Sequence, residues 1–180
     1  MTFRNLILVA VLALAPEAVL AGAPAAPQPT RAVDLQRFYS GTWVEIGRRP
    51  MRLTDGCVAG ATTYRIVSPT RIAVRDTCHA GSPSGKLKVI GGPARIRDPG
   101  TNAKLHVSYR LLGFIPVARD YWVLDHDEDY AWFISADPKF HDLWIYTRTT
   151  RPDPALTARL VERAKALGYD VSKLEFPAQP

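Results

Sequence analysis

The sequence is short of the residues that usually do chemistry. Two cysteines and four histidines occur in 180 residues. Neither a Cys-x-x-Cys nor a His-x-x-x-His spacing is present, so no metal centre is expected. No Gly-x-Ser-x-Gly or other nucleophile–base motif occurs, which removes the commonest signs of an enzyme. The longest apolar run, Leu6 to Ala15, has ten residues, about half of what a membrane-spanning helix needs. No helical period appears before residue 153. Residues 1–56 contain no cysteine, so a mature N-terminus would offer no thiol for lipid attachment. No catalytic residue and no cofactor are expected.

What is present begins with an export signal. Arg4 gives a short positive region, Leu6 to Ala15 the apolar stretch, and Val19-Leu20-Ala21 small residues at the −3 and −1 positions of a cleavage site. Residues 1–21 are therefore expected to be a signal peptide. Residues 22–32, rich in Pro, Ala and Gly, read as a flexible leader, and residues 33–180 as one domain. Removing the signal takes one arginine and one glutamate, so the net charge stays at +6. That excess favours anionic partners, with peripheral membrane contact among them. Export argues against nucleic acid and for a soluble form in the periplasm. It also places Cys57 and Cys78 in an oxidising compartment, where a disulfide is expected and two buried free thiols are the alternative.

The middle of the chain reads as strands near 42–49, 57–67, 70–79, 85–96, 103–110, 118–125, 129–136 and 142–149. Alternation is clearest in Lys104 to Arg110, where every second residue is apolar, and it recurs in Arg71 to Asp76. Ser68-Pro69-Thr70, Gly81 to Gly85, Asp98-Pro99-Gly100 and Asp137-Pro138-Lys139 supply turn chemistry between the runs. Such spacing suggests a meander closed into a barrel or folded into a sandwich. Cys57 and Cys78 lie almost symmetrically about the Ser68–Arg71 turn and would meet across a hairpin. The run Asp125-His126-Asp127-Glu128-Asp129 lacks the glycine and spacing of a calcium loop and reads as a charged turn. A helix follows: Asp153 caps it, Pro154 opens it, and Gly168 ends it. Its apolar face is Leu156, Leu160, Ala164 and Leu167. Asp170 to Phe176 would return as a short strand or an extended tail.

Three motifs in order carry a resemblance. Gly41-Thr42-Trp43, followed by Val44 to Arg48 and Pro50, resembles the G-x-W opening of lipocalins, in the form bacterial lipocalins use. Asp120-Tyr121-Trp122 is similar to their second motif, with Arg119 where threonine is common. Leu143 to Thr149 is similar to the third, centred on Arg148, and Gly168 to Lys173 to the segment after the helix. The likeness spans about residues 34–176. It implies an all-β fold: an eight-stranded antiparallel up-and-down barrel with one C-terminal α-helix packed outside. It also implies that Trp43 and Arg148 meet at the closed end, the guanidinium stacked over the indole.

Within that barrel, period two gives an expectation for each face. Trp43, Glu45 and Gly47 would point inward on the first strand, and Trp144 and Tyr146 on the last. Phe133 and Ser135 would point inward beside them, while Leu143 and Ile145 face the helix. Glu45 would be either part of a buried structural network or a polar anchor for ligand. Arg48, Arg49 and Arg52 lie in the connection that arches over the open end. They would hold an anionic head group while an apolar tail enters, or be a solvated cluster. The expected function is binding and carriage of a fatty acid, lysophospholipid or similar amphiphile. The alternatives are an enzyme acting on a lipid or isoprenoid inside the barrel, and an envelope interaction module with a filled barrel.

Overall fold

The computed structural model describes residues 25–180. The expected signal peptide, 1–21, lies outside them. Eight antiparallel strands close into a barrel in sequence order: β1 (Gly41–Arg48), β2 (Cys57–Ser68), β3 (Arg71–Ala80), β4 (Leu87–Ile96), β5 (Lys104–Leu111), β6 (Ile115–His126), β7 (Trp132–Ala136) and β8 (Leu143–Thr147). The seam is β1 against β8, with Val44 opposite Thr147 and Arg48 opposite Trp144. Closure leaves no unpaired edge.

Alternation along the strands produces two separate apolar clusters. The inner one holds Trp43, Ile72, Val74, Val107, Phe133 and Tyr146. The outer one holds Ile134, Leu143, Ile145, Leu160 and Ala164, where helix α2 (Pro154–Ala166) covers the wall. Asp153 accepts from the Ala155 N–H as the N-cap, and Gly168 follows the helix at φ +93°. Leu143 and Ile145 thus face the helix.

One inward assignment is overturned. The pairing of β1 with β8 shifts between Glu45 and Gly47, where Ile46 is the extra residue. Beyond this bulge the parity reverses, so Gly47 faces outward against Phe176 and Ile145, and Arg48 takes the inner face. A second bulge interrupts β2 between Val58 and Ala61. There a Cβ on Gly60 would sit 2.8 Å from the Glu45 carboxylate, so glycine makes room for that side chain.

A short helix, α1 (Leu35–Phe38), precedes β1 and is capped by Asp34, which accepts from the Arg37 N–H. It is one turn long and has no period to read. Phe38 and Tyr39 plug the end of the barrel where β1 begins. Residues 25–32, read as leader, run along the barrel; Ala26 is buried and donates its N–H to the Pro138 carbonyl. At the other terminus a turn of 3-10 helix, Val171–Lys173, leads to a single bridge between Glu175 and Arg48. Cys57 and Cys78 are joined in a disulfide across the β2–β3 hairpin.

Candidate functional site

The closed end is built from rings. Arg148 lies with its guanidinium carbon 3.4 Å from the Trp43 ring centre and donates to the carbonyls of Ser40, Thr42 and Arg37. Trp43 donates its indole N–H to the Phe38 carbonyl at 3.0 Å. Phe133 fills the space above, its centroid 4.7 Å from Trp43 and 4.6 Å from Tyr146. Phe133 therefore belongs to the plug and not to the cavity wall. Asp120 of the second motif faces out and pairs with His106, whereas its neighbour Tyr121 faces in.

Above the plug a cavity of about 250 Å³ opens toward the other end. That is roughly eight times the ~30 Å³ share of one liquid water, so side chains do not fill the barrel. Glu45, Arg48, Ser135, Trp144 and Tyr146 line it, as do Val74, Ile90, Val107 and Leu111. The connection from β1 to β2 carries Met51, Leu53 and Thr54 over the opening.

Arg48 at the end of β1 and Arg49 and Arg52 of that connection do not act together. Arg48 is 3% exposed and its donors are taken up by the protein. Nη1 meets Glu45 at 2.7 Å, Nε meets Glu175 at 2.7 Å, and Nη2 donates to the Cys57 carbonyl at 2.7 Å. Arg49 turns away from the cavity and donates to the His141 carbonyl. Arg52 borders a separate groove beside Pro50, Glu175 and Pro177. The cations that do reach the cavity near its rim are Lys88 and Arg119, and Arg119 pairs with Asp142 at 3.1 Å.

Glu45, 7% exposed, is a member of a buried network. Burial pushes its carboxyl from 4.5 up to about 7, against the pull of Arg48. A second acid stands across the cavity. Asp76 accepts from Thr62 Oγ1 at 2.7 Å and from Tyr109 Oη at 2.7 Å, and Tyr109 in turn meets Tyr121 Oη at 3.2 Å. Burial raises the Asp76 carboxyl while its two hydroxyl donors pull it back. The phenols of Tyr64, Tyr109, Tyr121 and Tyr146 are raised by the same burial and stay neutral. A polar belt of acids and phenols thus forms the base of an otherwise apolar pocket.

Asp76, Thr62, Tyr64, Tyr109 and Glu175 were not singled out from the sequence, and Arg119 was noted only as a departure within the second motif. A signal for two of them existed. Ile72, Val74 and Asp76 alternate on β3, as Leu105, Val107 and Tyr109 do on β5, so an inward valine implies an inward acid and an inward tyrosine. Glu175 had none, because its role depends on where the chain returns.

Comparison with known proteins agrees with this architecture. Residues 33–179 match the family model described as a lipocalin-like domain. The chain is 36% identical over 146 residues to temperature-induced lipocalin-1 of Arabidopsis thaliana, covering 78% of this chain and 77% of that protein. It is 29% identical over 178 residues to the outer membrane lipoprotein Blc of Escherichia coli K12, covering 96% and 98%. Among solved structures, insecticyanin of Manduca sexta superposes with a TM-score of 0.66 at 17% identity, covering 87% of this chain and 88% of that one.

Proposed function

The chain belongs to the lipocalin-like family, and on that premise we propose that it binds and carries a small lipid-like amphiphile inside its barrel in the bacterial envelope. Members of the family generally bind and transport small hydrophobic ligands. A fatty acid, a lysophospholipid or a similar molecule is the class in view. The observation that carries the reading is the cavity of about 250 Å³, closed by the Trp43–Arg148 plug and walled by apolar and aromatic side chains. An unfilled pocket of this kind is the usual form of a small-molecule site, and it weighs against a filled interaction module. Chemistry inside the barrel lacks a thiol among the described residues, since Cys57 and Cys78 are bonded to each other. Lys88 and Arg119 support contact of the rim with anionic groups, on a ligand or on a membrane surface.

Export to the periplasm as a soluble form belongs to the same proposal. No helix among the described residues is long and apolar enough to cross a membrane. N-terminal sequencing of the exported chain should begin at Gly22. The binding itself is tested by native mass spectrometry on protein purified without detergent. One small amphiphile per chain is expected. If nothing is bound, and n-alkanols of every length fail to alter tryptophan emission, the carrier function is wrong.

A further inference from the structure

Asp76 is a half-buried carboxylate on the cavity wall without a counter-ion. It reaches into the cavity from β3 and accepts from Thr62 and Tyr109, both at 2.7 Å. None of the ion pairs among the described residues includes it. The arginine on the same inner surface, Arg48, is already divided between two carboxylates, Glu45 and Glu175. Of the two carboxylates that line the cavity, Glu45 and Asp76, only Glu45 is paired with a cation.

Two hydroxyl donors favour the ionised form of Asp76, but hydrogen bonds do not cancel its charge, and withdrawing an unpaired carboxylate from water is costly. An apolar tail tip placed against it would add to that cost. A bound cation would remove it. Rings wall the same space, those of Tyr121 and Trp144 lying 5.1 Å apart and Tyr146 completing the base. Aromatic faces attract organic cations, most strongly where water is excluded.

We propose that Asp76 and the surrounding tyrosines bind the ammonium group of a cationic or amine-bearing amphiphile, which enters the barrel charge first. Its apolar part then lies against Met51, Leu53, Val89 and Leu111 toward the opening. This rests on the carrier function and reverses the tail-first entry that the arginine cluster suggested. The whole-protein field works against it, because a net charge of +6 repels cations in general. A preference for cations must therefore arise locally.

Three amphiphiles with the same dodecyl chain separate the possibilities: dodecyltrimethylammonium, dodecanol and dodecanoate, each titrated below its micellar concentration with tryptophan emission as readout. The ammonium should bind about tenfold more tightly than dodecanol, and dodecanoate most weakly. Asp76→Asn should bring the affinity for the ammonium to within about twofold of that for dodecanol in the same variant. If dodecanol or dodecanoate binds the wild type as tightly as the ammonium does, the cation site does not exist. Retention of the preference in Asp76→Asn also overturns it. The wild-type comparison decides alone should that variant fold poorly. Equal binding of all three would leave the carrier function standing, whereas binding of none would remove both.

Discussion

The guanidinium of Arg148 lies flat over the indole of Trp43, 3.4 Å from its centre, and ties three carbonyls of the chain before and within β1 to the end of β8. One side chain thus seals the barrel and fastens its seam. Arg suits the place because its fork is planar and its charge weakly hydrated. Arg148→Ala should cost about 1–3 kcal/mol, measured by denaturant unfolding, because the acceptors lose their donor and the ring its cover. Arg148→Lys keeps the charge but not the fork and should recover only part of the loss. An unchanged midpoint in the alanine variant would show that the plug carries no stability.

The Cys57–Cys78 bond should survive purification, so thiol titration of denatured, unreduced protein should find no free sulfhydryl. The bond closes a loop with a sequence separation of 21, worth about 3 kcal/mol in the chain-entropy picture. Replacing both cysteines by serine should lower stability by that order, and two titratable thiols in the native chain would contradict the pairing.

Glu45 makes stability depend on pH. Burial raises its carboxyl from 4.5 in the ordinary state to about 7 in the folded one. Between those values the folded chain holds a proton that the unfolded chain has released, so stability falls as pH rises. Its contribution is complete below about 4.5 and lost as pH passes about 7. Unfolding free energies at several pH values from 5 to 8 should decline in the wild type and decline less in Glu45→Gln. Parallel curves for the two proteins would mean that Glu45 does not titrate in this range.

The cavity wall sets a length limit for ligands. Each methylene that enters should add about 0.8 kcal/mol. Affinity for n-alkanols should therefore climb with chain length and then level off once the space of about 250 Å³ is full. Trp144, buried beside Tyr121 on the wall, should dominate the emission change, and Trp144→Ala should weaken the longest alkanols most. Affinity that is flat from the shortest chain onward would mean that they bind elsewhere.

Much of the architecture was legible because a barrel wall repeats every two residues. Alternation in β8 placed Trp144 and Tyr146 inside and Leu143 and Ile145 beneath the helix, and the structure places them there. Asp153 and Pro154 marked the helix start, which is local chemistry between adjacent residues. Two cysteines spaced evenly about one turn, in a chain read as exported, led to the expectation of the bridge that the structure shows. Gly47 and Arg48 show where that reading stops. An inserted residue at Ile46 exchanges their faces, and nothing in the apolar pattern of Val44 to Arg48 marks the insertion.

The arginines show the larger gap. Sequence brought Arg48, Arg49 and Arg52 together because they are neighbours in the chain, but the fold separates them. Arg48 is captured by Glu45 three residues back and by Glu175 from the far terminus, while Asp76, on another strand, faces the cavity without a cation. Sequence alone determined the strand period, the helix and the turns, because each depends on contacts that recur at short spacing; the Trp43–Arg148 plug was implied by the resemblance of its motifs. Only the tertiary structure decided the charge at the base of the cavity. That charge is set by Glu45 and Arg48 of β1, Asp76 of β3 and Glu175 of the C-terminal tail, and burial raises the carboxyls of Glu45 and Asp76; both are properties of the closed barrel and of no single segment.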